Sequence, residues 1–327
     1  MSHNTIALVG NPNCGKTTLF NDLTGANQQV GNWPGVTVDR KEGHYRYGEK
    51  TVTVVDLPGI YAIDAEEDGS SIDEAIARDY LLSGEAQVVV DIVDASNLER
   101  NLYLTTQILE MGVPLVVALN MTDVAVDQGI RVNPQMLAER LGCPVVSMVA
   151  SRNEGVENLR QIVDEMLVAP ELPTAQVVYP SMIEEALTAL TPAIAAAHPT
   201  ARDRWTALKL LEYDDASASN VTPEILQQVS EQRHRIHQVL GEDIDIAVAD
   251  SRYGYAHRLV NNVATRPREV SLTTSDKIDQ VVLNRWLGIP IFLVVMYLLF
   301  MFAINVGGAF IDFFDILFGT IFVDGFG

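Results

Sequence analysis

Residues Gly10-Asn11-Pro12-Asn13-Cys14-Gly15-Lys16-Thr17 fit G-x-x-x-x-G-K-[ST] without a gap. The apolar, β-branched run 6–10 leads into them, and a helical pattern follows from Thr18 onward. Strand, glycine loop and helix in that order make a phosphate cradle. The glycines let the backbone wrap an anion, and the N–H groups of the helix N-terminus point at it. Lys16 is placed to reach β- and γ-phosphates, and the Thr17 hydroxyl to bind Mg²⁺. Further β-branched runs at 51–56, 88–93, 114–120 and 144–148 alternate with helical patterns. That alternation predicts an α/β P-loop domain, with a mostly parallel sheet and helices on both faces.

Three more strand ends carry the motifs that such a loop needs. Asp56-Leu57-Pro58-Gly59 offers a carboxylate for Mg²⁺ and, at Gly59, an N–H that no Cβ shields from a γ-phosphate. Asn120-Met121-Thr122-Asp123 places a carboxylate where guanine N1–H and N2–H₂ can both donate to it. Adenine has neither donor, and unpaired buried polar groups discriminate strongly, so the base is expected to be guanine. Met121 stands where lysine is usual, and its apolar chain can cover the nucleotide as the lysine stem does. Val149-Ala150-Ser151 follows the last strand, and its backbone is expected to meet guanine O6. Between the first two motifs, 30–39 contains Gly35, Val36, Thr37, Val38 and Asp39. It reads as a mobile switch loop whose Thr37 senses Mg²⁺. Lys16, Thr37 and Gly59 are the expected catalytic residues.

The whole chain has 327 residues and a formal charge of −21, which counts against nucleic acid as a partner. Cys14 and Cys143 match no metal or redox spacing and read as buried thiols. The start of the chain has no basic segment followed by an apolar one, so no secretory signal is expected. The reading divides the chain into a nucleotide domain (1–170), a small all-α domain (171–270), an amphipathic linker (271–286), a transmembrane helix (287–311) and the start of a further segment (312–327). In the α domain, Ser181 and Glu184 form a capping box, Thr222-Pro223 starts a helix and Gly241 stops it. Ser71 and Glu74 form another box, for a helix reaching about Leu82. The 287–311 run holds no charged residue. As a helix it spans about 37 Å, enough for a hydrocarbon core of about 30 Å. Arg266, Arg268, Lys277 and Arg285 precede the span and only aspartates follow it. The N-terminal domains are therefore expected to be cytoplasmic. The apolar stretch 316–323 predicts that the natural chain continues. His234 and His237, three apart on a helix, and the acids Asp64, Glu66, Glu67, Asp68, Asp73 and Glu74 read as solvated faces rather than metal sites.

The five elements resemble the TRAFAC-type small GTPases. Residues 10–21, 30–38, 56–61, 94–102 and 283–290 narrow the resemblance to the ferrous iron transport protein B (FeoB) family. The resemblance implies an Mg²⁺-dependent GTPase region of a multi-pass inner-membrane Fe²⁺ transporter, binding GTP and GDP. It implies a helical domain like a guanine-nucleotide dissociation inhibitor, small cytosolic partner proteins of the same iron system, contact with the lipid bilayer, and a homo-oligomer. It also implies an activating K⁺ held by Asn13, which makes Asn13 a fourth expected catalytic residue, with the backbone of Gly31 and Trp33 closing over the ion. Ile60 stands directly after Asp-x-x-Gly, where a glutamine would orient water, so hydrolysis is expected to be slow. Two other readings stay open: a membrane-tethered regulatory GTPase that transports nothing, and a ribosome-assembly GTPase.

Overall fold

The computed structural model describes residues 4–25, 28–34, 36–63, 72–197, 202–212, 221–241, 243–265, 282 and 287–318. They fall into two compact units, Met1–Pro267 and Arg268–Gly327.

In the first unit one seven-stranded sheet has the order β2-β3-β4-β1-β5-β6-β8. Strands β1 (Asn4–Gly10), β4 (Lys50–Asp56), β5 (Val88–Asp94), β6 (Leu115–Asn120) and β8 (Val145–Ser147) are parallel. Strands β2 (Gln28–Asn32) and β3 (Asp39–Tyr47) pair antiparallel at one edge. Side chains alternate between two cores, as a pleated strand requires. Ile6 and Leu8, Val88, Val90 and Ile92, and Val116 and Ala118 face α1 (Lys16–Thr24) and α6 (Val156–Val168). Ala7 and Val9, Val89 and Val93, and Val117 and Leu119 face α2 (Ile72–Ser83), α3 (Leu98–Met111) and α5 (Pro134–Leu141). Both faces are covered, so the central strands read as unbroken apolar runs. From β1 the chain builds β2 to β4 on one side, then crosses to β5, β6 and β8 on the other. That reversal makes the carboxyl end of β1 the crevice of the sheet.

Strands β2 and β3 fall outside the five β-branched runs. Every residue of β2 is exposed, and in β3 only Gly43 and Tyr45 are buried, so neither carries an apolar signature. The expected switch loop is accordingly part strand: 28–32 is β2, and the described residues 33–34 and 36–38 lie between β2 and β3.

Helices α7 (Ser181–Ala197), α8 (Asp203–Leu211), α9 (Pro223–Leu240) and α10 (Ile244–Val263) build a further core around Ile183, Leu187, Leu190, Leu210, Ile236 and Val248. Thr222 is the N-cap of α9 with Pro223 inside, and Gly241 stops it at φ 70°. The capping box at 181–184 differs from expectation. Helix α7 begins one residue early, with the Pro180 carbonyl accepting from Ile183 and Glu184 N–H. Glu184 Oε1 accepts from Tyr179 N–H at 3.0 Å. Proline cannot donate its own nitrogen, so the glutamate reaches one residue further back. Ser71 and the acidic stretch Asp64–Asp68 lie outside the described residues. Helix α2 carries Asp73 and Glu74 in its first turn, where the helix dipole favours them.

Helix α10 lies along α3 and α5, and its Ala256, Leu259 and Val263 enter the core of the sheet layer. Its end pairs with the sheet layer through a two-residue ladder, β7 (Arg131–Val132) with β9 (Ala264–Thr265). Arg252 of α10 is 1 % exposed. Its guanidinium donates to Glu110 of α3 at 2.8 Å and to Glu212 at 2.9 Å. Tyr179 Oη donates to the same Glu110.

In the second unit helix α11 runs Gly288–Phe318. Its segment Gly288–Gly308 is long and apolar enough to cross a membrane, and none of it is buried. Pro290 sits in the first turn. The helix passes through Asp312 and Asp315 rather than ending at Ile311. A carboxylate ends a hydrophobic run without breaking helix geometry. The expected linker 271–286 lies outside the described residues, Val282 excepted.

Candidate nucleotide-binding site

The loop after β1 has no room for other residues at its ends. A Cβ on Gly10 would lie 2.7 Å from the Ile92 carbonyl oxygen and 2.8 Å from Cys14 Sγ. Asn13 (φ 66°) and Gly15 (φ 93°) are left-handed, which turns the chain into α1. A Cβ on Gly15 would meet Asn120 Nδ2 at 2.2 Å. Asn11, Pro12, Asn13, Gly15, Lys16, Thr17, Thr18, Gly59 and Met121 line a cavity of about 540 Å³ here. Nine residues from three sheet ends thus share one wall, with the N-terminus of α1 facing in.

Asp56 and Gly59 are brought to the loop by the backbone. Leu57 N–H donates to the Leu8 carbonyl at 3.0 Å and Ile60 N–H to the Gly10 carbonyl at 3.3 Å. The Gly59 α-carbon comes close enough to Pro12 that a Cβ there would sit at 3.4 Å. Lys16 Nζ pairs with Asp56 Oδ1 at 2.5 Å, their side chains 11 % and 5 % exposed. The pair sets a cation and an anion side by side at the mouth of the loop. The Asn11 amide is also buried, and among the described residues neither its oxygen nor its nitrogen has a partner. That unused polar capacity in a phosphate-shaped cradle fits a polar ligand.

Asn120 ties the base motifs to the phosphate loop. Its Nδ2 donates to the Cys14 carbonyl at 2.9 Å, and its Oδ1 accepts from Ala150 N–H at 3.0 Å. Thr122 Oγ1 donates to the Met148 carbonyl at 3.2 Å, which fixes the same corner. Met121, left-handed at φ 58°, leans over the loop. Asp123 Oδ1 accepts from Val124 N–H at 2.9 Å, and its Oδ2 lies 3.2 Å from Arg152 Nη2. Ala150 and Ser151 open a short 3-10 turn, Ala150–Arg152, capped by Val149. Arg152 stands beside Asp123 although no motif marks it. The only signal for it was a basic residue next to Ser151.

The switch residues stand apart. Gly31 is in β2, paired with Arg40, and Trp33 N–H donates to the Val38 carbonyl at 2.9 Å. Trp33 is 5 % exposed. Its ring meets Tyr80 of α2 edge-on at 5.3 Å, with the Arg40 guanidinium 4.7 Å above it. Thr37 is exposed on the closed turn, and Gly31, Trp33 and Thr37 do not line the cavity. Gly35 lies outside the described residues, while Val36, Val38 and Asp39 flank the turn. Cys14 is buried, and desolvation pushes its thiol up to about 12, so it stays protonated and packs. Ile60 is buried at 2 % and offers no polar group to water.

Known proteins share this arrangement. The sequence profile of ferrous iron transport protein B matches residues 4–163, and that of the FeoB cytosolic helical domain matches 179–265. The Fe(2+) transporter FeoB of Escherichia coli K12 is 44 % identical over 323 residues, covering 98 % of this chain and 41 % of the relative. The Fe(2+) transporter FeoB of Salmonella typhimurium is 43 % identical over 321 residues, with the same two coverages. The chain therefore spans about two-fifths of the length of these curated relatives. The crystal structure of a GDP-bound point mutant of the S. thermophilus FeoB G-domain superposes with a TM-score of 0.74 at 36 % identity, covering 80 % of this chain and all of that one. The apo cytosolic domain of the T. maritima FeoB iron transporter gives 0.68 at 34 %, covering 80 % and 99 %. The FeoB profiles over residues 4–163 and 179–265, and FeoB cytosolic structures matched at 34–36 % identity over four-fifths of this chain and nearly all of theirs, place the chain in the FeoB family.

Proposed function

We propose that the chain is the GTP-binding and GTP-hydrolysing cytoplasmic region of a ferrous iron transporter, with α11 as its first membrane helix. The observation that carries the nucleotide reading is Asn120. One carboxamide joins the phosphate loop, through Cys14, to the guanine turn, through Ala150. Phosphate and base recognition therefore belong to one rigid site.

The residues divide the work. Backbone N–H groups of Gly15 to Thr17 and the Lys16 ammonium hold the phosphates and take up charge as it develops on them. Gly59 N–H is positioned beside the same phosphates. Mg²⁺, when bound, neutralises phosphate charge, and Thr17, Asp56 and Thr37 would hold it. Lys16 must exchange Asp56 for phosphate as this happens. Thr37 joins the site by movement of the segment between β2 and β3, and the Gly31 and Trp33 carbonyls by movement of the end of β2 with it, which makes this segment the nucleotide sensor. Asn13 already lines the cavity and would hold an activating K⁺. With Ile60 in place of a glutamine, hydrolysis is slow and depends on that cation.

The test of base recognition is Asp123→Asn. It should lose GTP hydrolysis and gain XTP hydrolysis, because xanthine carries an acceptor at C2 where guanine carries a donor. Retained GTP preference would refute the reading. KCl should accelerate hydrolysis over NaCl in wild type and not in Asn13→Ala. Transport is tested with the complete reading frame in cells lacking their own ferrous transporter. Anaerobic Fe²⁺ uptake that falls in Asp123→Asn supports it. No uptake by well-expressed wild type would favour a membrane-tethered regulatory GTPase instead.

A further inference from the structure

We infer that Arg152 is an internal mimic of guanine, competing with the base for Asp123 and so setting how fast guanine nucleotide leaves. The inference rests on the guanine reading of the site.

Guanine meets a carboxylate through N1–H and the 2-amino group, two parallel N–H donors on one N–C–N edge. That edge is chemically a guanidine. The guanidinium of arginine presents the same fork to a carboxylate. In this structure Arg152 Nη2 lies 3.2 Å from Asp123 Oδ2, and the other oxygen, Oδ1, accepts from Val124 N–H at 2.9 Å. Arg152 reaches Asp123 through Nη2 alone and already compensates the charge at Oδ2, the oxygen a second guanine donor would use, so the base and Arg152 compete for it.

The turn that presents Arg152 keeps it close. Val149 N–H donates to the Glu154 carbonyl at 3.0 Å, and Glu154 N–H returns to the Val149 carbonyl at 3.2 Å. Asn153 closes the loop in the left-handed region at φ 58°. A Cβ on Gly155 would sit 2.5 Å from the Ser147 carbonyl oxygen, so the turn is packed against β8. Asn120 holds the start of the turn through Ala150 N–H. Arg152 therefore stays within reach of Asp123 at high effective concentration while its side chain, 61 % exposed, can swing aside. Each departure of the base is met by a tethered replacement on the same carboxylate.

An ion pair with one exposed partner is modest, so the expected effect is a factor of roughly two to five. The experiment follows mant-GDP release from the full chain in detergent, chased with excess GDP, together with the equilibrium Kd. Arg152→Ala should slow release and tighten binding by that factor. Arg152→Lys, which keeps the charge and loses the fork, should fall between. In the Asp123→Asn background, with mant-XDP as probe, Arg152→Ala should change nothing, because the carboxylate is gone. Unchanged release in Arg152→Ala would overturn the inference, as would weaker GDP binding, which would make Arg152 a clasp on the base. An equal effect in the Asp123→Asn background would overturn it too. A wild-type chain that bound mant-ADP and not mant-GDP would instead overturn the guanine reading itself.

Discussion

The buried carboxyl of Asp91 makes the stability of the fold depend on pH. It sits in the middle of β5, 1 % exposed. Its Oδ2 accepts from Thr105 Oγ1 of α3 at 2.6 Å. Burial raises its carboxyl pKa from 3.8 to about 7, with the Thr105 bond pulling the other way. The folded chain thus keeps a proton that the unfolded chain has released across this interval. Stability from this group is complete below about pH 4, falls as pH rises, and levels off above about pH 7. About three pKa units at 1.36 kcal/mol each make the loss roughly 4 kcal/mol. Asp91→Asn keeps the shape and an oxygen for the Thr105 hydroxyl, and it cannot ionise. Urea denaturation of the detergent-solubilised chain, followed through the buried Trp33 and Trp205, measures the effect. Other titrating groups cancel in the difference between the two proteins. Between pH 5 and pH 8 the variant should gain on wild type by up to a few kcal/mol. A difference that stays flat over that range would refute the assignment of a buried, proton-holding carboxyl to β5.

Three further substitutions test the packing of the site. Asn120→Ala should cost about 1–3 kcal/mol for each of the two buried backbone groups it orphans, Cys14 C=O and Ala150 N–H. It should also weaken GTP and GDP binding together, read by denaturation and by mant-nucleotide titration. Gly15→Ala should abolish nucleotide binding, because the new methyl enters the Asn120 amide at a φ that costs about 1–2 kcal/mol by itself; mant-GTP titration and the Tm check both parts. Arg252→Ala should destabilise by about 3–5 kcal/mol, since it leaves the buried Glu110 carboxylate without its cation and Glu212 with Lys209 alone. Replacing Arg252, Glu110 and Glu212 together by Met and Leu should not recover that loss in the same urea assay, because it strips the buried Lys209 of its Glu212 partner at 3.0 Å and leaves the Tyr179 hydroxyl without Glu110.

The strands that were legible in the sequence are those buried on both faces. Runs such as 88–93 must be apolar throughout, and they stand out. Strand β3 carries Asp39, Arg40, Lys41 and Glu42 because it lies next to the sheet edge, and strand β2 is wholly exposed, so no periodicity marks either. Helix α11 was legible in position but not in length, since composition records where charge begins and the backbone does not stop there. In the site, Lys16, Thr17 and Gly59 were recognisable because a fixed local spacing creates a fixed local geometry. Arg152 was not, because its partner Asp123 lies on another strand end.

The sequence by itself determined the phosphate loop, the order of the nucleotide motifs, the two-sided sheet and the apolar span. Each depends on backbone conformations or periodicities set within a few residues. Only the tertiary structure decided which distant groups meet. Asn120 bridges Cys14 and Ala150, Arg152 covers Asp123, Trp33 packs on Tyr80, and Arg252 joins α3 to α8. Those partners lie about 30 to 140 residues apart or on separate strand ends, and close packing of the whole fold, rather than local spacing, brings them into contact.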